Sequence, residues 1–155
     1  MTFQKSASLP GGGVNRPRIL FVEDNDISRE LIRRIFRRME ELTVDVAKDG
    51  MEALALHQQY FYQLIFMDLQ MPSMNGIEVT REIRRREKAD GLNHTPVIAV
   101  TAYVGEEDRQ RCLEAGMNDF LTKPVDTEAL VKKIISHTRN LPEDETSEPV
   151  ERHHE

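Results

Sequence analysis

The sequence of 155 residues has a single cysteine, Cys112. It therefore forms no internal disulfide, and one thiol fits a reducing compartment. Cys112 has no ligand-type neighbour close by in the chain and reads as an ordinary helix residue. No apolar run approaches the ~18 residues of a membrane span. The first residues lack the apolar core of a secretory signal, so a cytoplasmic protein with no membrane contact by this segment is expected. A basic balance is also missing. The net charge is −6, of which residues 140–155 hold six acids against Arg152, and residues 1–17 hold Lys5 and Arg16. That leaves −3 for residues 18–139, which gives no electrostatic case for direct nucleic-acid binding.

What is present fits one globular domain with 39% hydrophobic and 31% charged residues. Residues 1–17 hold Gly11-Gly12-Gly13 and prolines 10 and 17 and read as a flexible leader. Residues 140–155 read as a disordered acidic tail. Between them, over 18–139, short apolar runs alternate with helical patterns. Strands are expected at 18–22, 43–47, 64–68, 96–101 and 119–122. Helices are expected after each. The first carries Ile27, Leu31, Ile35 and Met39 at four-residue spacing, with Ile32 and Phe36 beside them and Asp26 as its N-cap. Its arginines, 29, 33, 34, 37 and 38, fall mostly on the wet side and are weighted towards a solvated face. Gly116 closes the fourth helix and Asp126 caps the last. Five strand–helix repeats argue a parallel sheet with helices on both faces. The strand order expected for five strands is 2-1-3-4-5.

That order places chemistry at one edge. The run Leu64-Ile65-Phe66-Met67 ends at Asp68, and Pro72 stops regular pairing beyond it. The first strand ends at Glu23-Asp24 and becomes the neighbour of the third at the switch point, where α/β folds bind ligands. Three carboxylates in one crevice raise one another's pKa or demand a cation. With oxygen donors and no histidine or cysteine nearby, Mg²⁺ or Mn²⁺ fits better than Zn²⁺. Strands four and five end at Thr101 and Lys123, a hydroxyl and an ammonium suited to phosphoryl oxygens. Taken singly, each of these is as readily a cap, a turn residue or a surface lysine. Together, at the carboxyl ends of successive strands, they propose a site where Asp68 accepts a phosphoryl group.

Over residues 17–139 the chain closely resembles the receiver domain of two-component response regulators. The resemblance is carried by Val22-Glu23-Asp24-Asn25, by Met67-Asp68-Leu69-Gln70-Met71-Pro72 with Asn75-Gly76, by Thr101-Ala102 and by Lys123-Pro124. It implies a flavodoxin-like (βα)5 three-layer α/β sandwich and phosphotransfer to Asp68 from a phosphohistidine donor. It also implies Mg²⁺ ligation by Asp24, Asp68 and the backbone carbonyl of Gln70, with Glu23 direct or through water. Thr101 and Lys123 would bind the phosphoryl oxygens, Thr101 and Phe120 would form the conformational switch, and the bond before Pro124 would be cis. Glu23 and Phe120 depart from the family's usual Asp and Tyr. The longer acid alters metal geometry, and Phe120 has no hydroxyl to bond in either state.

Gln70 and Tyr103, two residues after Asp68 and Thr101, flank the path of an attacking water in that family and are expected to tune phosphoryl lifetime. An exposed loop tyrosine is the equal alternative for Tyr103. Ile27, Pro124 and Val125 are expected to form apolar patches where a histidine kinase or a histidine-phosphotransfer domain docks. The phrasing of residues 62–86 and 94–126 is similar to receivers of hybrid kinases in phosphorelays. No output domain is legible in the 155 residues, so output is expected through a downstream protein partner, a phosphorelay step, or parts outside these residues. Two rivals have different chemistry. A haloacid-dehalogenase-type phosphatase would carry a second Asp where Gln70 stands, and a module regulated by contact alone would not need the full acceptor set.

Overall fold

The structure, a computed structural model, describes residues 16–71, 74–102 and 105–138. The acidic tail, the leader apart from Arg16 and Pro17, Pro72 and Tyr103 lie outside the described residues. Five strands, β1 (Arg18–Val22), β2 (Thr43–Ala47), β3 (Leu64–Asp68), β4 (Val97–Thr101) and β5 (Asp119–Thr122), alternate with five helices. The helices are α1 (Asp26–Arg37), α2 (Gly50–Gln59), α3 (Gly76–Asp90), α4 (Glu106–Ala115) and α5 (Thr127–His137). All strand pairs are parallel, in the order β2-β1-β3-β4-β5, as the sequence pattern predicts. No helix among the described residues is long and apolar enough to cross a membrane.

Burial explains the two kinds of strand pattern. Every residue of β3 and β4 is buried, because both faces of these strands carry helices. The edge strands β2 and β5 are mostly half-buried, and β2 alternates apolar with polar residues accordingly. On one face α2, α3 and α4 press Ala53, Leu54, Val79, Ile83 and Cys112 onto Leu20, Val22, Ile65, Met67 and Ala99. On the other, α1 and α5 press Ile32, Phe36, Leu130 and Ile134 onto Ile19, Phe21, Phe66, Ile98 and Val100. Phe21 stacks on Phe66 at 5.0 Å and meets Phe36 edge-on at 6.3 Å, a favourable pair of aromatic geometries.

Helix ends follow local chemistry, with one correction. Asp126 caps α5 by accepting from Ala129 N–H at 3.0 Å, and Gly116 ends α4 in the left-handed region at φ 107°. At α1 the N-cap is Asn25, not Asp26. Asn25 is extended and its Oδ1 accepts from Ser28 N–H at 2.8 Å. Asp26 is the first helical residue, where its charge suits the helix dipole.

The buried face of α1 also differs from the expected row. Ile32 and Phe36 are buried, whereas Ile27 is 80% and Leu31 47% exposed. A four-residue spacing overshoots a 3.6-residue turn by about 40° per step. The Ile27–Met39 row therefore starts in solvent and reaches the core edge only at Ile35 and Met39.

The turn from β3 into α3 brings backbone against backbone. A Cβ on Gly76 would sit 2.4 Å from the carbonyl oxygen of Asp68 and 2.8 Å from Met67 Cγ. Gly76→Ala is therefore expected to lower stability by about 1–3 kcal/mol through overpacking. An unchanged urea midpoint would show that the loop swings clear of the Asp68 carbonyl.

Candidate functional site

Parallel register sets the ends of three strands level. Val22 pairs with Met67, and Asp68 pairs with Val100. One further residue along β1 places Glu23 beside Asp68, and on β4 Thr101 follows Val100, one residue beyond the level of Asp68. The chain leaves the sheet there, so these side chains converge on the edge that the helices leave open. Lys123 arrives from the end of β5, with its N–H donating to the Thr101 carbonyl at 2.9 Å. The Lys123-Pro124 peptide is cis.

Glu23 and Asp68 are 2% and 1% exposed, while Asp24 is half-buried. One carboxylate oxygen from each of Glu23, Asp24 and Asp68 lies within 4.8 Å of the others. Lys123 Nζ sits between two of them, 3.4 Å from Asp68 Oδ1 and 3.4 Å from Glu23 Oε1. Asp68 Oδ1 also accepts from Gln70 N–H at 3.1 Å, and Glu23 Oε2 accepts from Asn25 N–H at 3.1 Å. Asp68 Oδ2 is buried and has no hydrogen-bond partner among the described residues. Buried polar atoms are nearly always paired, so an exception at the centre of an acid cluster is compatible with a place for an ion or substrate.

The donor set fits a hard divalent cation. Among the described residues, three convergent carboxylates face a single ammonium, and neither histidine nor cysteine joins the cluster. Oxygen-only donors are the preference of Mg²⁺, Mn²⁺ and Ca²⁺. Thus the residues named from the sequence do meet: Glu23, Asp24, Asp68, Gln70 and Lys123 form one cluster, with buried Thr101 adjoining it on β4.

Phe120 lies on β5, opposite Ala99 of β4. It is half-buried against the α2–α4 side of the core, with the Arg109 guanidinium 4.6 Å over its ring. Ile27 and Pro124 are exposed beside the site, whereas Val125 is half-buried against the α1–α5 side.

Two contributors escaped the sequence reading. The Asn25 N–H holds Glu23, and Arg29 turns inward. Arg29 Nη1 donates to the carbonyl oxygens of Glu23 at 3.1 Å and Asp24 at 2.9 Å, and Nη2 pairs with the Asp26 carboxylate. Its place on a polar helix face concealed this, because only the curl of the preceding turn brings those carbonyls within reach.

The family model described as the response regulator receiver domain matches residues 19–135. Response regulator mcs4 of Schizosaccharomyces pombe is 41% identical over 151 residues, covering 83% of this chain and 29% of that protein. The chain spans 6% or 7% of three Dictyostelium discoideum hybrid signal transduction histidine kinases. It thus corresponds to a minor part of these relatives' length.

Among solved structures, one is the Saccharomyces cerevisiae co-crystal of the histidine phosphotransfer signaling protein Ypd1 with the receiver domain of its downstream response regulator Ssk1. It matches at TM-score 0.74 and 34% identity, over 81% of this chain and 91% of that one. The receiver domain of sensor histidine kinase PA1611 from Pseudomonas aeruginosa PAO1, with a magnesium ion coordinated in the active-site cleft, matches at TM-score 0.69 and 34% identity. That match covers 79% and 98% of the two chains.

Burial, and next the charge of Glu23, push the Asp68 carboxyl up from the ordinary 3.8 to about 6, against the pull of Gln70 N–H and Lys123. A carboxyl with a raised folded pKa binds its proton more tightly in the native state than unfolded. Its stabilising contribution is full below about 3.8 and is lost as the pH rises through about 6. In metal-free buffer at pH 7.5, Asp68→Asn should therefore be more stable than wild type, by about 1–2 kcal/mol once the loss of the lysine contact is allowed for. The difference should vanish below pH 4. Thermal melts across pH 3.5–8 in a chelator check this, and a wild type more stable than the variant at pH 7.5 would contradict it.

Proposed function

This chain belongs to the response regulator receiver domain family, and from that membership we propose that Asp68 is its phosphoryl acceptor in a two-component phosphorelay. The observation that carries the assignment is the buried Asp68 Oδ2, unpaired among the described residues while Oδ1 is held by Gln70 N–H and Lys123. One oxygen is thereby oriented and the other is left for the incoming phosphorus. Asp68 attacks the phosphorus of a phosphohistidine donor. An oxygen–phosphorus bond forms, the phosphorus–nitrogen bond breaks, and its electron pair leaves with the imidazole. The Lys123 ammonium and the Thr101 hydroxyl take phosphoryl oxygens, so that the charge is met by groups already in place.

A bound Mg²⁺ or Mn²⁺, held by Glu23, Asp24, Asp68 and the Gln70 carbonyl, would supply charge neutralisation for the carboxylates and the phosphoryl oxygens. The magnesium ion in the PA1611 receiver cleft supports this choice. Phosphorylation then biases a pre-existing equilibrium in which Thr101 draws towards the phosphoryl group and Phe120 turns inward. A downstream protein partner reads that surface. The donor is a histidine kinase or a histidine-phosphotransfer domain, as the Ypd1–Ssk1 complex suggests. It docks over Ile27, Pro124 and Val125, in the cytoplasm.

The test is intact mass after incubation with Mg²⁺ and a small-molecule phosphodonor. Wild type should gain one phosphoryl group, and Asp68→Asn and chelator-treated samples should gain none. No gain on wild type, or equal gain on Asp68→Asn, would overturn the assignment. Gln70 and Tyr103 are further proposed to slow hydrolysis by crowding the attacking water. Tyr103→Ala should then shorten the phosphoryl lifetime severalfold at fixed Mg²⁺, and an unchanged lifetime would sink that role.

A further inference from the structure

Beyond Glu23 the chain departs from the sheet. The last ladder bond at this end of β1 runs from Glu23 N–H to the Ala47 carbonyl at 3.0 Å. The carbonyls of Glu23 and Asp24 point out of the ladder and need another donor. Arg29 supplies it. Its Nη1 reaches both carbonyl oxygens, at 3.1 Å and 2.9 Å, and its own backbone N–H donates to the next carbonyl, Asn25, at 2.9 Å. Three consecutive carbonyls of the acid-bearing turn thus end on one residue, a single helical turn away.

The ordinary account of Arg29 is a surface ion pair with Asp26. It explains little, because the Arg29 side chain is only 14% exposed while Asp26 is 89% exposed, and a pair so wetted contributes weakly. What orders the half-buried guanidinium is the pair of carbonyls.

We infer that Arg29 is a positioning residue for the metal-binding acids: by drawing the Glu23 and Asp24 carbonyls together, it curls the turn so that both carboxylates face Asp68. The inference rests on the metal site proposed above. Geometry and charge act in opposite directions here, which makes the role separable. A guanidinium near a cation site, acting through charge alone, would repel the metal, and its removal would tighten binding. A guanidinium acting through the turn would, when removed, let the two carboxylates drift and weaken binding.

The planar fork matters as well. It presents donors in fixed directions to two carbonyls and a carboxylate, whereas a lysine ammonium is a point charge on a flexible stem. Residues that orient metal ligands from behind typically change affinity by about 10–100-fold when altered.

The experiment is a MgCl₂ titration of wild type, Arg29→Gln and Arg29→Lys, followed by backbone amide shifts of the β1–α1 and β3–α3 turns, with thermal melts in chelator alongside. Mg²⁺ dissociation constants about tenfold or more above wild type are expected for both variants, while the metal-free folds stay intact. Arg29→Lys retains the positive charge, so it carries the comparison if Arg29→Gln melts below the titration temperature. Wild-type affinity in Arg29→Lys, or tighter binding in Arg29→Gln, would overturn the inference and leave the metal site standing. A wild type with no Mg²⁺ response at all would instead overturn the metal site itself.

Discussion

The structure turns on the mutual repulsion of carboxylates at the end of β1 and β3. Two unit charges about 4 Å apart interact by about 4 kcal/mol at the effective dielectric of such sites. Glu23 and Asp68 bear this while almost wholly buried, and Asp24 adds a third charge within 4.8 Å. One ammonium, Lys123, bridges two of the three acids. Burial first, and the charge of Glu23 second, push the Asp68 carboxyl up to about 6. A site that holds excess negative charge in a fixed geometry is one that stabilises a cation and then a phosphoryl group beside it. The cost is met by the surrounding sheet, whose buried strands are covered by helices on both faces.

The two faces of the sheet hold that arrangement from opposite sides. The stacked Phe21 and Phe66 and the α1–α5 layer fix β1 against β3, so the register that brings Val22 beside Met67 also sets Glu23 beside Asp68. Gly76 lets α3 start directly against the Asp68 carbonyl. On the far side, β5 carries both Phe120 and, just past its end, Lys123. A movement of Lys123 towards a phosphoryl group would therefore pull on the strand that holds the aromatic. Arg109, stacked over Phe120, offers that ring a cationic contact in a protein where it has no hydroxyl.

Some parts of the site and fold could be read from the linear chain, and some could not. Buried strands betray themselves as unbroken apolar runs, so β1, β3 and β4 are legible, and with them the acids and the hydroxyl that end them; Lys123 follows the shorter β5. The cap of α1 is Asn25 rather than Asp26, one residue earlier than the sequence suggests, because both are good capping types and only backbone dihedrals separate them. The four-residue row on α1 looked like its core face, yet the helix turns every 3.6 residues and the row opens in solvent. Arg29 looked like one more arginine on a polar face.

What the sequence determined by itself was the order of strands and helices, the parallel sheet that follows from it, and the identity of the groups at its carboxyl edge. These depend on periodicity and on handed connections, which are local properties. Only the tertiary structure decided which oxygen of Asp68 is held and which is left unpaired, that Lys123 is shared between Asp68 and Glu23, and that Arg29 reaches back into the acid-bearing turn. Those facts depend on differences of a few tenths of an ångström, for Asp68, Glu23 and Lys123 between groups far apart in the chain and for Arg29 across a single turn. Such distances are set by how the packed layers settle against one another.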